Sequence, residues 1–273
     1  MMKKVKPLFF ACVMMLCFAG CSLRQVDLPA EVPADAPVSQ TASQSLTASP
    51  TQTPAPSTAP SATPAPSEPE LVLHSGLCDD GSFSSGTLFL GDSLTYIFTG
   101  NYLPEDELLG DAKYAAQCGS QVTAFFSSTV LEPRSRMIAG YSEEFEGMKF
   151  YEAAASLGEK AEAIYFMWGT NFTPDATADN YIEIVDFLLE NCPNATIHLQ
   201  TIPHGDVSYT VVNQRIKDAY EHYLQNDEPR VLLIDTYAAI GNNTVDGIHL
   251  NLIGNSNWYN AIVEHAKIYN LSE

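Results

Sequence analysis

The sequence predicts an α/β domain built on a parallel sheet that is covered on both faces. Three observations carry this. Five short apolar runs, at 87–90, 111–117, 163–168, 196–202 and 230–235, each stop at a glycine, a proline or a polar break. Helical patterns fill 150–160, 179–191, 211–225 and 253–269, so strands and helices alternate as in βαβ crossovers. The region from residue 71 onward, about 200 residues, suits one domain with a full core.

The chain before that region has a different character. Residues 1–20 place Lys3, Lys4 and Lys6 before an apolar run at 8–18 and the small pair Ala19-Gly20. A basic start, a short apolar stretch and small residues are the marks of a secretory signal peptide. The run is too short for a comfortable permanent span. Phe18-Ala19-Gly20-Cys21 resembles a bacterial lipobox, which implies that Cys21 becomes the lipidated first residue of the mature chain. Residues 21–70 then form a Pro-, Ser-, Thr- and Ala-rich tether, with too little apolar surface to offset the entropy of ordering. As a flexible coil it would span roughly 40 Å, and near polyproline II at most about 150 Å. The expected location is therefore extracytoplasmic, with the membrane touched only through a lipid on Cys21.

Each element of the domain has a local reason. The first strand, Thr-Leu-Phe-Leu, is apolar and stops at Gly91; the second is weaker and stops at Cys118-Gly119. The third reads Ala-Ile-Tyr-Phe-Met-Trp and breaks at Gly169. Tyr181, Ile184, Val185, Leu188 and Leu189 recur at helical spacing in the following helix, and Pro193 closes it. Pro203 ends the fourth strand, and Arg-Val-Leu-Leu-Ile-Asp is the fifth.

The formal net charge is −20. It disfavours nucleic acid and anionic membrane surfaces as direct partners. Cys78, Cys118 and Cys192 are the cysteines of the domain, with no close pair to suggest a metal site. Buried free thiols are the expected state.

In open parallel sheets, ligands bind beyond the C-terminal strand ends. There the chain places Gly91-Asp92-Ser93-Leu94, Gly119-Ser120, Gly169-Thr170-Asn171 and, after the last strand, Asp246-Gly247-Ile248-His249. Acyl transfer needs a nucleophile, a base, a group that orients the base, and donors for an oxyanion. Ser93 can serve as nucleophile and His249 as base. Asp246, three residues before His249, can meet its Nδ1. Ser93 N–H, Gly119 N–H and the Asn171 side chain can hold the oxyanion. Asp92 is expected to be structural, bonding nearby loop N–H groups. Alone, Ser93 reads as a helix N-cap; the partners elsewhere favour the nucleophile.

These four blocks, in this order, resemble those of the SGNH (GDSL) hydrolases across residues 87–265. The resemblance implies a flavodoxin-like three-layer α/β/α sandwich with a five-stranded parallel sheet. It also implies Ser93, Asp246 and His249 as catalytic residues, Ser93, Gly119 and Asn171 as the oxyanion hole, and no metal or organic cofactor. One departure stands out: Phe172 follows Asn171, where many members carry Asn-Asp. Position alone makes Tyr96, Thr170, Phe172 and His204 candidates for substrate binding. His204, near Asp206, is a rival base that lacks the three-residue Asp spacing. The chain does not carry the Gly-x-Ser-x-Gly elbow, since Thr95 stands where the second glycine would be.

The expected activity is removal of acetyl or other short acyl groups from carbohydrate through an acyl-Ser93 intermediate. An O-acyltransferase on cell-wall glycan shares the first half-reaction. A non-catalytic glycan-binding module is the more distant alternative, disfavoured by the complete set of groups. The residues do not indicate the oligomeric state.

Overall fold

In a computed structural model of the chain, residues 71–103, 108–127, 131, 139–171, 176–203, 209–241 and 243–270 are described. The expected signal peptide, the tether and Cys21 lie outside these residues, as do Phe172 and His204. No described helix is long and apolar enough to cross a membrane.

The elements run β1 (Thr87–Gly91), α1 (Ser93–Ile97), β2 (Lys113–Gln117), β3 (Ala139–Tyr141), α2 (Phe150–Leu157), β4 (Ala163–Met167), α3 (Ala178–Asn191), β5 (Thr196–Gln200), α4 (Thr210–Gln225), β6 (Val231–Ile234), α5 (Thr236–Ile240) and α6 (Leu252–Asn270). They form one six-stranded sheet in the order β3-β2-β1-β4-β5-β6. Five strands are parallel, and their order among themselves, 2-1-3-4-5, is that of the flavodoxin-like sheet.

The expectation of five strands is corrected at one edge. β3 pairs antiparallel with β2, placing Ala116 opposite Gly140 and Ala115 opposite Tyr141. Its three residues are too few to show a period, so pairing with β2 makes the strand. Gly140 is required there because a Cβ would stand 2.3 Å from the Tyr96 ring.

Every residue of β1, β4 and β5 is buried. Helices on both faces cause this: α2, α3 and α4 pack together on one side, and α1, α5 and α6 cover the other. Each large side chain buried in these strands contributes about 1.5–3 kcal/mol. Phe89, Tyr165 and His198 stack in sequence across β1, β4 and β5, with neighbouring ring centroids 5.0 and 4.6 Å apart.

The segment before β1 is pinned to the start of β5 and to the middle of β4 and β5. His74 N donates to Thr196 Oγ1 (2.8 Å), and Tyr165 Oη donates to the Ser75 carbonyl (2.6 Å). His198 Nε2 bonds the His74 carbonyl at 2.9 Å, so that nitrogen carries the proton. Nδ1 then accepts from His265 Nε2 of α6 at 3.3 Å.

Cys118 and Cys192 are buried free thiols, as expected, and burial pushes the Cys192 thiol up to about 11. Cys78 departs from the expectation, being exposed.

Candidate active site

At the C-terminal end of β1 the backbone leaves no room for a side chain. A Cβ on Gly91 would lie 2.1 Å from both the Met167 carbonyl oxygen and Thr95 Oγ1. Glycine therefore lets β1 press against β4 and turn at once into α1. Asp92 caps α1, accepting from Leu94 N at 3.1 Å. This moves the cap from Ser93 to Asp92 and leaves the Ser93 hydroxyl uncommitted to capping.

Asp92 does more than cap. Its Oδ2 accepts from Gly169 N (3.1 Å) and Thr170 N (2.8 Å), and its Oδ1 accepts from the Thr170 hydroxyl (3.1 Å). One fully buried carboxylate thus ties the turn after β1 to the turn after β4. Burial raises its pKa, while the hydrogen bonds from Leu94, Gly169 and Thr170 pull it down; burial wins. The three backbone N–H groups can only donate, so they require acceptor oxygens on this side chain. Thr170, expected to line a substrate pocket, spends its hydroxyl here and is itself buried.

His249 and Asp246 share one tight loop. It is closed by a bridge between Thr244 and Leu250 and by Val245 N donating to the His249 carbonyl at 2.8 Å. Gly247 takes φ +87° at its tip, a conformation that glycine adopts without penalty. Asp246 Oδ1 accepts the backbone N–H groups of Ile248 (3.0 Å) and His249 (2.7 Å). Its other oxygen, Oδ2, lies 2.7 Å from His249 Nδ1. Burial pushes the Asp246 carboxyl up, but the His249 ring and the two amides outweigh it and hold it below its ordinary value. An ionised carboxylate only accepts, so His249 donates from Nδ1 to Asp246, which turns Nε2 toward Ser93.

That Nε2 lies 3.2 Å from Ser93 Oγ. Ser93 and His249 are 4% and 8% exposed. Ser93, His249 and Asp246, drawn from chain segments more than 150 residues apart, form one chain of hydrogen bonds. The arrangement can withdraw the serine proton as the oxygen attacks an electrophile.

The two expected oxyanion donors beyond Ser93, Gly119 and Asn171, lie on two neighbouring loops. Gly119, at φ +75°, turns the chain after β2. Asn171 Nδ2 donates to the Ser120 carbonyl at 3.0 Å, which uses one of its two hydrogens. Ser120 is the junction of this region and was not visible as such in the sequence. Its hydroxyl donates to the Gln117 carbonyl (2.7 Å) and accepts from Trp168 Nε1 (3.0 Å). Trp168, expected only as core, is fully buried, and its indole N–H had to find such a partner. Tyr96 is half-buried, its ring lying over Gly140.

The loops after β1 and β4 meet at the point where strand order reverses, the usual ligand position in this sheet type. No cluster of His, Cys, Asp and Glu suited to a metal exists among the described residues.

No family model and no curated protein matches the chain. Similar solved structures include a carbohydrate esterase family 3 protein from Talaromyces cellulolyticus, 16% identical over 68% of this chain and 99% of that one, TM-score 0.39. Another is a member of the lipolytic protein G-D-S-L family from Veillonella parvula, 13% identical over 65% and 96%, TM-score 0.41. A third is a family two carbohydrate esterase from Clostridium thermocellum in complex with cellohexaose, 10% identical over 67% and 63%, TM-score 0.45.

Proposed function

We propose that the chain is a serine esterase that removes acetyl or other short acyl groups from carbohydrate. The carrying observation is the Ser93–His249–Asp246 chain, with contacts of 3.2 and 2.7 Å. His249 Nε2 takes the Ser93 proton as Oγ bonds to the ester carbonyl carbon. Ser93 N–H, Gly119 N–H and the second Asn171 hydrogen hold the negative oxygen. As the tetrahedral adduct collapses, the bond from carbon to the alcohol oxygen breaks. His249 gives its proton to that oxygen, leaving acyl-Ser93. Water, deprotonated by His249, then releases the acid and restores the serine. Asp246 keeps the imidazole in the tautomer this requires and steadies it when protonated.

The slight exposure of Ser93 and His249 favours a small acyl group. The Lys-rich start, the short apolar run and Cys21 support an exported, lipid-anchored protein. The test is turnover of a short-chain aryl ester. Ser93→Ala is expected to lower kcat by roughly 10⁴-fold or more without loss of fold. His249→Ala should act similarly and His204→Ala should not. Activity retained in Ser93→Ala would end the assignment.

A further inference from the structure

Beyond β2 the chain turns at Gly119 and winds through a short 3₁₀ turn at Val122–Ala124. A shallow cavity of about 280 Å³ lies against this loop. Its lining includes Gln117, Gly119, Ser120, Gln121, Thr123 and Ser127. None of the described lining side chains carries a charge, although the chain has a net charge of −20. The lining takes in Gly119, a proposed oxyanion donor, and Ser120, whose carbonyl accepts from Asn171. The cavity therefore borders one of the groups proposed to hold the ester oxygen.

The Ser120 and Ser127 hydroxyls are committed to backbone carbonyls of Gln117 and Ala124. Gln121 and Thr123 differ: both are exposed, and neither side chain hydrogen-bonds to another described residue. They offer an amide and a hydroxyl, groups that both donate and accept, which suits a ligand made of hydroxyls. A carboxylate or an ammonium would find no counter-charge among the described lining residues and would lose water for nothing. The volume stands at the small end of ligand pockets, roughly 300 Å³, enough for one ring rather than a chain of them.

We propose that this cavity is a subsite for one uncharged sugar ring of the ester substrate, held by Gln121 and Thr123. The proposal rests on the esterase reading of the same site. The experiment uses the full chain and three substrates: 4-nitrophenyl acetate, 3-O-acetylglucose and 3-O-acetylglucuronate. The double variant Gln121→Ala/Thr123→Val should lower kcat/KM for 3-O-acetylglucose roughly tenfold, the loss of two uncharged hydrogen bonds. It should leave the aryl ester within about twofold, because an aryl group does not use them. Wild type should prefer acetylglucose to acetylglucuronate, and Thr123→Lys should narrow that preference. Equal effects on the sugar and aryl esters, no effect on either, or a wild-type preference for the uronate would overturn the subsite while leaving the esterase intact. Failure of wild type to cleave 4-nitrophenyl acetate would instead remove the esterase reading itself.

Discussion

Replacing Asp92 by Asn changes one oxygen to an NH₂ group at the most connected side chain of the site. Asp92 meets three backbone N–H groups and one hydroxyl. An amide has one oxygen left. If that oxygen stays on Gly169 and Thr170, the NH₂ faces the Leu94 N–H, and the cap of α1 is lost. Cap loss costs about 1 kcal/mol. A buried donor left without an acceptor costs about 1–3 kcal/mol more. If the amide turns over, two donors are stranded instead of one. The sum is about 2–4 kcal/mol, moderated by no longer burying a charge. For a domain of this size each kcal/mol moves Tm by about 2–4 °C, so a drop of roughly 5–15 °C is expected. Thermal unfolding followed by near-ultraviolet circular dichroism measures it. Aryl ester kinetics on the same sample should show kcat reduced about 10- to 100-fold, because the 169–171 turn loses the anchor that positions Asn171. A Tm within 2 °C of wild type and kcat within twofold would refute the reasoning. That outcome would mean Asp92 is already protonated, a state in which Asn is nearly isosteric.

Trp168→Phe removes the indole N–H that binds Ser120 and should lower kcat several-fold with little change in KM, read from the same assay. Acid should unfold the domain early because of His198 and His265. Burial holds the former down at about 3, with His265 adding to it, and holds the latter at about 4. Both lie below the unfolded value near 6.5, so the unfolded chain binds more protons as pH falls through 6.5. Stability is then fully present above that pH and declines below it, by up to about 2.7 kcal/mol per pH unit once both unfolded histidines are charged. Denaturant titrations between pH 7 and 4.5 check this. His198→Gln, which cannot charge, should flatten the slope.

The parallel core was legible because β1, β4, β5 and β6 are compact apolar runs that end at strong punctuation. β3 was not legible, since Ala-Gly-Tyr has no period and exists as a strand only by pairing with β2. The second strand starts two residues later than its sequence suggests, because Asp111 and Ala112 precede it in a turn, with Asp111 N donating to the Phe83 carbonyl. The sequence order of the Ser, Asn and Asp-x-x-His blocks foreshadowed the juxtaposition of Ser93, Asp246 and His249, because strand ends gather at one edge of such a sheet. It did not foreshadow Ser120 as a junction. That role depends on which carbonyl happens to face Trp168 and Asn171, and no spacing rule encodes it. Nor does the position of Thr170 at the strand end foreshadow that its hydroxyl turns inward to Asp92.

The pinning of residues 74–76 beneath the strands has a mechanical meaning. Tension on the chain ahead of residue 74 would first load the bonds to Thr196, at the start of β5, and to Tyr165 and His198, in the middle of β4 and β5. The loops bearing Ser93 and Asn171 begin at the C-terminal strand ends, about two residues, roughly 7 Å, beyond Tyr165. These side-chain and backbone bonds can yield, freeing a few residues, without breaking any bond between the strands of the sheet.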